Sequence, residues 1–589
     1  MGGALTEYDR FPVRRVTTDD RDCAEGWTDV AAAVSAHARA AQCRVVAVEC
    51  YPGVYVREVY EALAAALAPA LVVDAEEALK PRDELELSLK RYLGDDPVFG
   101  FMCPWGLEEF FGPAQLHALR RRVGEVDGLA LVVGTGASLV APHADILLYA
   151  DVTRWEIQQR QRTHTVGNLG AGNALAPARH LYKRAYFVDW RAADRQRLAL
   201  FDRIDYYLDA NVPGTPRLVA GDLYRRALEQ TSRQPFRLTP FFDPGPWGGQ
   251  WMRRRFDLPR DAQNYAWCFD CVPEENSLLF GFGTRHLRSP AIPLVHRHPE
   301  PLLGRHVYET FGAEFPIRFD LLDTMEGGNL SLQVHPLRRY IAEKFGVPYT
   351  QDESYYLLDA EPGSVVYLGL KDRPDPTAFE RELRAAQDGG PPFSVERHVN
   401  AWRSRAHDHF SIPAGTIHCS GKGNVVLEIS ATPYIFTFKL WDWARLGLDG
   451  KPRPIHLEHG LANIQWDRTT DWVERNLINP VRTLASGPRV REETTGLHAS
   501  EFIESRRHWF TEPVEHDTRG TLNVLNLVEG DVVSVESPND AFEPLTVHYA
   551  ETFVIPAAVG RYRIRPVDRV PNARLATIKA LVRGGEEHA

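Results

Sequence analysis

The stretch "GGNLSLQVHP", residues 327–336, decides how most of this chain is read. Strand side chains alternate between faces, so Gln333 and His335 point the same way, and Pro336 ends the run at once. Such a Gln-x-His pair is either a satisfied polar edge or half of a metal site. One spacing does not decide, and the other half must come from elsewhere.

The surrounding sequence has short strands and closely spaced turns from about residue 235 onward, as in "EPGSVVYLGLK" (361–371) and "HFSIPAGTIHCSGKGNVVLEISA" (409–431). That pattern reads as an all-β barrel or sandwich. Two helical patches interrupt it, "PLRRYIAEKFG" (336–346) and "DPTAFERELRAAQDG" (375–389), and a second β-rich block begins near residue 495. Glu353 stands just before an apolar strand, and His418 follows a P-x-G-x-x-H turn. At the mouth of a small barrel a Gln oxygen, two imidazoles and a carboxylate could hold zinc and leave a position for water or substrate. Each residue alone reads as an ordinary hydrogen-bonded group; together with the turn they read as ligands. The pairs His296/His298 and His407/His409 are read as surface or packing histidines.

The first 210 or so residues differ. Apolar runs such as "CRVVAVEC" (43–50), "GLALVVGTG" (128–136) and "ADILLYADV" (144–152) alternate with helical patterns, which predicts an α/β layer on a parallel sheet. "ECYPGVYVRE" (49–58) has the strand, turn and helix layout of a P-loop. It offers one glycine, no lysine and no Ser/Thr, so the main electrostatic parts of phosphoryl transfer are missing. The Gly cluster "GTGAS" (134–138) adds little. The basic and aromatic segment 180–211 reads as a helix packed on the sheet with solvated arginines.

Bulk composition sets the class. The 589 residues exceed one ordinary domain, and 44% hydrophobic with 25% charged residues is the balance of a soluble globular protein. A net charge of −11 argues against a nucleic-acid or anionic-membrane surface. No run reaches the ~20 apolar residues of a membrane span, and the first twenty residues read as neither signal peptide nor lipid anchor. Seven cysteines fit a reducing, cytoplasmic setting, and the lone C-x-x-C of Cys268 and Cys271 reads as two half-buried thiols.

"LSLQVHP", "ESYYLLDAEPGSVVYLGLK", "IPAGTIHCSGKGNVVLEIS", "PWGG" (246–249) and "LDGKPRPIHLEHGL" (448–461) follow in an order that resembles the type I mannose-6-phosphate isomerases, zinc-dependent cupins, over residues 240–589. The resemblance implies that Gln333, His335, Glu353 and His418 bind one zinc ion per chain. It implies interconversion of an aldose and a ketose phosphate by proton transfer between C1 and C2. Glu428 matches the family's active-site glutamate, although it also reads as a buried strand carboxylate paired with a cation. Ser331 fits the phosphate-side serine. In the N-terminal region, "LLYADVTRWEIQQRQRT" is similar to the lid-proximal part of uridine kinases.

Departures from the family bear on the substrate. "FPIRFDLLDT" (315–324) places Asp320 where the family carries lysine, with Arg318 on the same strand face. "TQDES" (350–354) has Gln351 in place of a second lysine, and Lys439 in "TFKLWDW" stands where a catalytic arginine is expected. Arg is not interchangeable with Lys at a dianionic phosphate. Lys422, in "SGKGN", is a candidate replacement cation.

The expected architecture is therefore multidomain. A degenerate P-loop kinase-like α/β domain spans 1–215 and a linker 216–240. A metal-binding cupin spans 241–480, with a helical insertion at 373–403, and a metal-free cupin-like β-domain spans 481–589. The expected activity is a zinc-dependent isomerase acting on a sugar or sugar phosphate. The alternatives are the same chemistry on another sugar, or a metal-bearing sugar-binding regulator. Neither the native metal nor the oligomeric state is read from the sequence.

Overall fold

The computed structural model describes residues 7–16, 22–448, 450, 453–567 and 573–584. Part of the N-terminal reading, on residues 1–6, and part of the 448–461 motif lie outside the described residues. The chain forms two compact units. One comprises Val13–Thr231 and Glu274–Arg297, the other Met1–Pro12, Ser232–Pro273 and His298–Ala589.

The α/β unit is built on a seven-stranded sheet. Its parallel strands, in chain order, are Val45–Cys50, Leu71–Asp74, Ala130–Gly134, Ile146–Asp151 and Tyr206–Asp209. In the sheet they lie second, third, first, fourth, fifth. The inner strands are near-continuous apolar runs because helices cover both faces. Residues 216–240, expected as a linker that bridges the two halves as a helix, do contain the helix Gly221–Thr231, but they also contribute the antiparallel strand Arg217–Ala220 to this sheet. The hairpin Ser277–Phe282 and Arg285–Pro290, expected within the cupin, belongs to this unit and pairs in parallel with Val13–Arg15.

Between Val45–Cys50 and the helix Val56–Leu67 the chain turns through Gly53, whose φ of +106° favours glycine and where an added Cβ would lie 2.8 Å from the Ile157 side chain. This turn does not present a row of N–H groups to an anion. The Gly53 carbonyl accepts from buried Arg160 (2.8 Å), whose guanidinium lies over the Tyr55 ring. In the Gly turn 134–138, the buried Glu49 carboxylate accepts from the N–H groups of Gly136 (2.7 Å) and Ser138 (2.8 Å) and from the Ser138 hydroxyl. That turn already holds an anion, and it is the protein's own.

The segment 180–211 is helical to Leu200, with a π-helical turn at Ala185–Asp189, and then enters the sheet as the strand Tyr206–Asp209, which the single-helix reading did not expect. Its arginines are not all solvated as expected. Arg184 and Arg197 are buried because acidic partners are buried with them. Asp194 binds Arg154 (2.5 Å), Arg197 (2.7 Å) and the Tyr51 hydroxyl (2.9 Å), and Arg197 also reaches Asp151 (3.1 Å). Burial alone would raise Asp194, but Arg154 and Arg197 bring it down to about 2.

The other unit contains two antiparallel β-barrels. In the first, a six-stranded sheet runs His409–Ile412, Glu353–Ala360, Asn424–Ala431, Ile317–Asp323, Trp267–Cys271 and Phe241–Asp243. It faces a five-stranded sheet of Val399–Arg403, Val365–Leu370, His418–Ser420, Leu332–Val334 and Phe438–Trp441. Helices Pro376–Gln387 and Val395–His398 are inserted between two strands of the smaller sheet, and the Asp375 side chain caps the first of them. The second barrel sets six strands, including Ile503–Phe510 and Leu575–Val582, against four, including Val514–Asp517 and Arg561–Pro566. Cys268 and Cys271 are fully buried, not half-buried, because both lie on an inner strand. His409 is a packing histidine, bonded to the Ser354 hydroxyl at 2.8 Å.

The Asp151–Arg197–Asp194 network gives a direct stability test. Arg197→Leu leaves Asp151 buried without a cation and Asp194 with Arg154 alone, and costs about 3–5 kcal/mol of unfolding free energy, read by urea denaturation of the full chain. Arg57→Ala, which breaks an exposed pair with Glu61, leaves the midpoint unchanged.

Candidate metal centre and its surroundings

Two facing sheets supply the site, and register explains why its residues meet. In the five-stranded sheet Gln333 pairs with His418 on one side and Lys439 on the other, so the three stand in one row. In the six-stranded sheet Arg318, Ser430 and Glu353 form a row, and Asp320, Glu428 and Tyr355 form the row two residues away. Directly opposed residues point to the same face, as do residues two apart. His335 follows directly on the strand Leu332–Val334.

His335, Glu353 and His418 are all buried, and their ligand atoms lie within 4.8 Å of one another. His418 Nε2 is 2.6 Å from Glu353 Oε1, and His335 Nε2 is 3.2 Å from Oε2. His418 Nδ1 lies 2.9 Å from the Thr416 carbonyl and His335 Nδ1 lies 3.3 Å from that of Phe436. A carbonyl only accepts, so each Nδ1 donates and each ring turns its Nε2 toward the carboxylate. His335 Nε2 and Glu353 Oε1 have no hydrogen-bond partner. Burial opposes the ionisation of Glu353, but the two imidazoles hold it well below the usual carboxylate range. Acceptors facing one another in a dry interior fit a cation between them, and this N/O set could hold a divalent metal ion. The Gln333 amide nitrogen lies 3.2 Å from His418 Nε2, and its oxygen and nitrogen exchange by a half-turn of the amide.

Beside this group Arg318 binds both Glu428 and Asp320, the latter at 3.2 Å. Glu428 Oε1 also accepts from Gln351 Nε2 (3.2 Å) and from the Ser430 hydroxyl (3.1 Å). Gln351 reaches Glu353 Oε2 at 3.1 Å, so it links the two carboxylates. Burial first raises Asp320, against the pull of Arg318, to about 6. Burial, then the neighbouring Asp320 and Glu353, raises Glu428 well above the usual range. Two carboxyls on one guanidinium in this setting favour retention of a proton by the pair. Arg318 Nε, Asp320 Oδ1, Gln351 Oε1 and the Tyr355 hydroxyl lack hydrogen-bond partners here.

The remaining expected residues lie elsewhere. Lys439 is partly buried; burial, then Arg453, lowers its amine to about 7. The Ser331 hydroxyl donates to Asp442 (2.8 Å), which also binds Arg445 (2.6 Å) and Arg453 (2.8 Å). This cluster was missed in the sequence, although Arg445 follows the "WDW" segment by two residues. Lys422 stands exposed on its turn, and its hydrogen bond is from its backbone N–H to Asn329. No polar contact joins it to the metal group.

Parts of the chain are similar to known proteins. A family model described as "Domain of unknown function (DUF8485)" matches residues 26–233. The "Putative mannose-6-phosphate isomerase YvyI" of Bacillus subtilis is 26% identical over 227 residues, 38% of this chain and 66% of that protein. The "Mannose-6-phosphate isomerase" of Streptococcus mutans is 26% identical over 221 residues, 36% of this chain and 63% of its own length. Over about 38% of its length, this chain is homologous to type I mannose-6-phosphate isomerases. The chain thus spans about two thirds of the length of these curated relatives. The crystal structure of the mannose 6-phosphate isomerase from Bacillus subtilis aligns with a TM-score of 0.47 at 18% identity, covering 59% of this chain and 99% of that one.

Metal content tests the site without reference to activity. Purified protein is expected to carry a single ion per chain by mass spectrometry of the metal, and His418→Ala is expected to carry none. Chelation lowers unfolding free energy by about 4 kcal/mol where free metal stands ~1,000-fold above Kd.

Proposed function

We propose that this protein is a metal-dependent aldose–ketose isomerase, with zinc held by Gln333, His335, Glu353 and His418. The observation that carries the reading is the pair of buried imidazoles facing a buried carboxylate, in a chain homologous over about 38% of its length to mannose-6-phosphate isomerases. When bound, the metal supplies a Lewis acid that steadies negative charge on the sugar oxygens.

The chain's own groups carry the proton. Lys439 stands in the row of Gln333, and its amine, lowered to about 7, is poised to take the proton from C2 and return it to C1. Glu428, held by Arg318, Gln351 and Ser430, gives a proton to the carbonyl oxygen at C1 as that oxygen gains charge and recovers one from the C2 hydroxyl as the ketone forms. Arg318 also fixes Asp320, so the guanidinium orients the acid and is not itself open to a phosphate.

That last point favours a second reading, the same chemistry on a different sugar. Arg445 and Arg453 are both bound to Asp442, and Arg318 is bound to two carboxyls. In the α/β unit the strand order second, third, first, fourth, fifth supports a degenerate P-loop kinase-like fold. The missing lysine and the turn already filled by Glu49 support its being inactive in phosphoryl transfer. A cytoplasmic location belongs to the same reading, since all seven cysteines are unpaired.

Zinc-loaded protein is expected to convert mannose 6-phosphate to fructose 6-phosphate, with free mannose tested in parallel. Turnover on free mannose alone would support the second reading. A tightly held metal with no turnover on any aldose or ketose would point to a sugar-binding regulator. Glu428→Gln is expected to lower kcat by about 10²–10⁴ with metal content unchanged. Because the amine of Lys439 accepts a proton only when neutral, kcat/KM rises as pH rises through about 7. Lys439→Met removes that ascending limb, and a limb that survives the substitution assigns the titration elsewhere.

A further inference from the structure

The second barrel holds a cavity of about 690 Å³ whose lining includes Glu492, Arg506, His508, His516, Thr521 and Lys579. None of the metal group lines it. Register brings these polar side chains together. Glu504, Arg506, His508 and Phe510 share one face of the strand Ile503–Phe510. Phe510 belongs to an apolar core with Leu525, Val533 and Tyr562. The inner face therefore passes from an apolar floor to a polar mouth. His516 stacks on Tyr562 with centroids 5.0 Å apart and meets His508 edge-on at 4.6 Å.

Three atoms of this lining, His508 Nδ1, His516 Nε2 and Thr521 Oγ1, have no hydrogen-bond partner. Their residues are 3%, 7% and 2% exposed. Buried polar atoms are nearly always partnered, so three at one cavity mark a place for a ligand. Its charge follows from the pairing of the rest. Glu492 is bound by Arg506 (3.2 Å), Glu504 by Arg506 (2.6 Å) and Arg583 (3.0 Å), and Glu515 by Arg563. Among the described residues no carboxylate forms an ion pair with Lys579, which is 6% exposed. Burial, then Arg506, lowers its amine to about 8, so at neutral pH it is a buried cation. Among the described residues no second group of three ligands gathers here, and a neighbouring ammonium disfavours a metal ion.

We propose that this mouth binds a small hydroxylated anion, a phosphorylated or carboxylated sugar, with Lys579 facing the anionic group and His508, His516 and Thr521 facing hydroxyls. The cavity is within the ~300–1,000 Å³ of small-molecule sites and larger than a bare phosphate needs. The site stands apart from the isomerase reading and survives its failure.

The test uses the full chain carrying His335→Ala, which disables the metal group, titrated with mannose 6-phosphate, gluconate and inorganic phosphate by calorimetry and thermal shift. One of the two sugars is expected to bind at a single site, and which one separates a phosphate-borne from a carboxylate-borne charge. Lys579→Met, which removes the charge and keeps the length, should weaken binding about tenfold or more. Thr521→Val, which preserves shape, should weaken it by a smaller factor and guards against misfolding of the first variant. The proposal is overturned by any of three outcomes: no binding by either readout, equal affinity for inorganic phosphate, or affinity unchanged in both variants.

Discussion

The contact of Glu353 with His335 and His418 is the constraint on which the first barrel depends. Each imidazole is tied through Nδ1 to a backbone carbonyl, so neither ring can turn its lone pair away. The carboxylate comes from the six-stranded sheet and His418 from the five-stranded one. Without a cation the two sheets would press acceptors together in a dry interior, which costs several kcal/mol per uncompensated charge. With one, the same atoms tie the sheets face to face. Fold and chemistry therefore share a single electrostatic requirement, and the rows flanking it inherit their positions from it.

Those rows differ from a phosphate-binding design in a consistent direction. Asp320 and Gln351 stand where cations are expected, and the guanidinium that remains, Arg318, is held by Glu428 and Asp320. Adding carboxyls to one cation shifts the local chemistry from attracting an anion toward retaining a proton. Lys439 fits the same shift, because an arginine would stay charged whereas a buried lysine can lose its proton near neutrality. The site is thus better furnished for moving protons than for gripping a dianion.

The metal group was legible in the sequence because its signals are local. A period of two on a strand and a P-x-G-x-x-H turn need no knowledge of tertiary pairing. Glu428 was read both as an acid and as a carboxylate paired with a cation, and the second description holds through Arg318. What the sequence concealed depended on pairing across distance. Segment 216–240 looked like a linker because one short strand and one amphipathic helix carry no mark of the sheet they join. Arg184 and Arg197 looked solvated because the acids that bury them are invisible without the fold. His508 and His516 sit on different strands with unremarkable neighbours, and only register places them at one mouth.

The partnering of buried polar atoms separates the chain's potential sites more sharply than motif matching does. In the α/β unit the Gly turn that would receive an anion is filled by Glu49, and Arg154, Arg160 and Arg197 are bound to acids or carbonyls. At both barrel mouths the reverse holds, since acceptors and donors are buried and left open. Open groups of this kind at the two barrel mouths are what the proposed ligands would complete, whereas the Gly turn of the α/β unit already receives the Glu49 carboxyl.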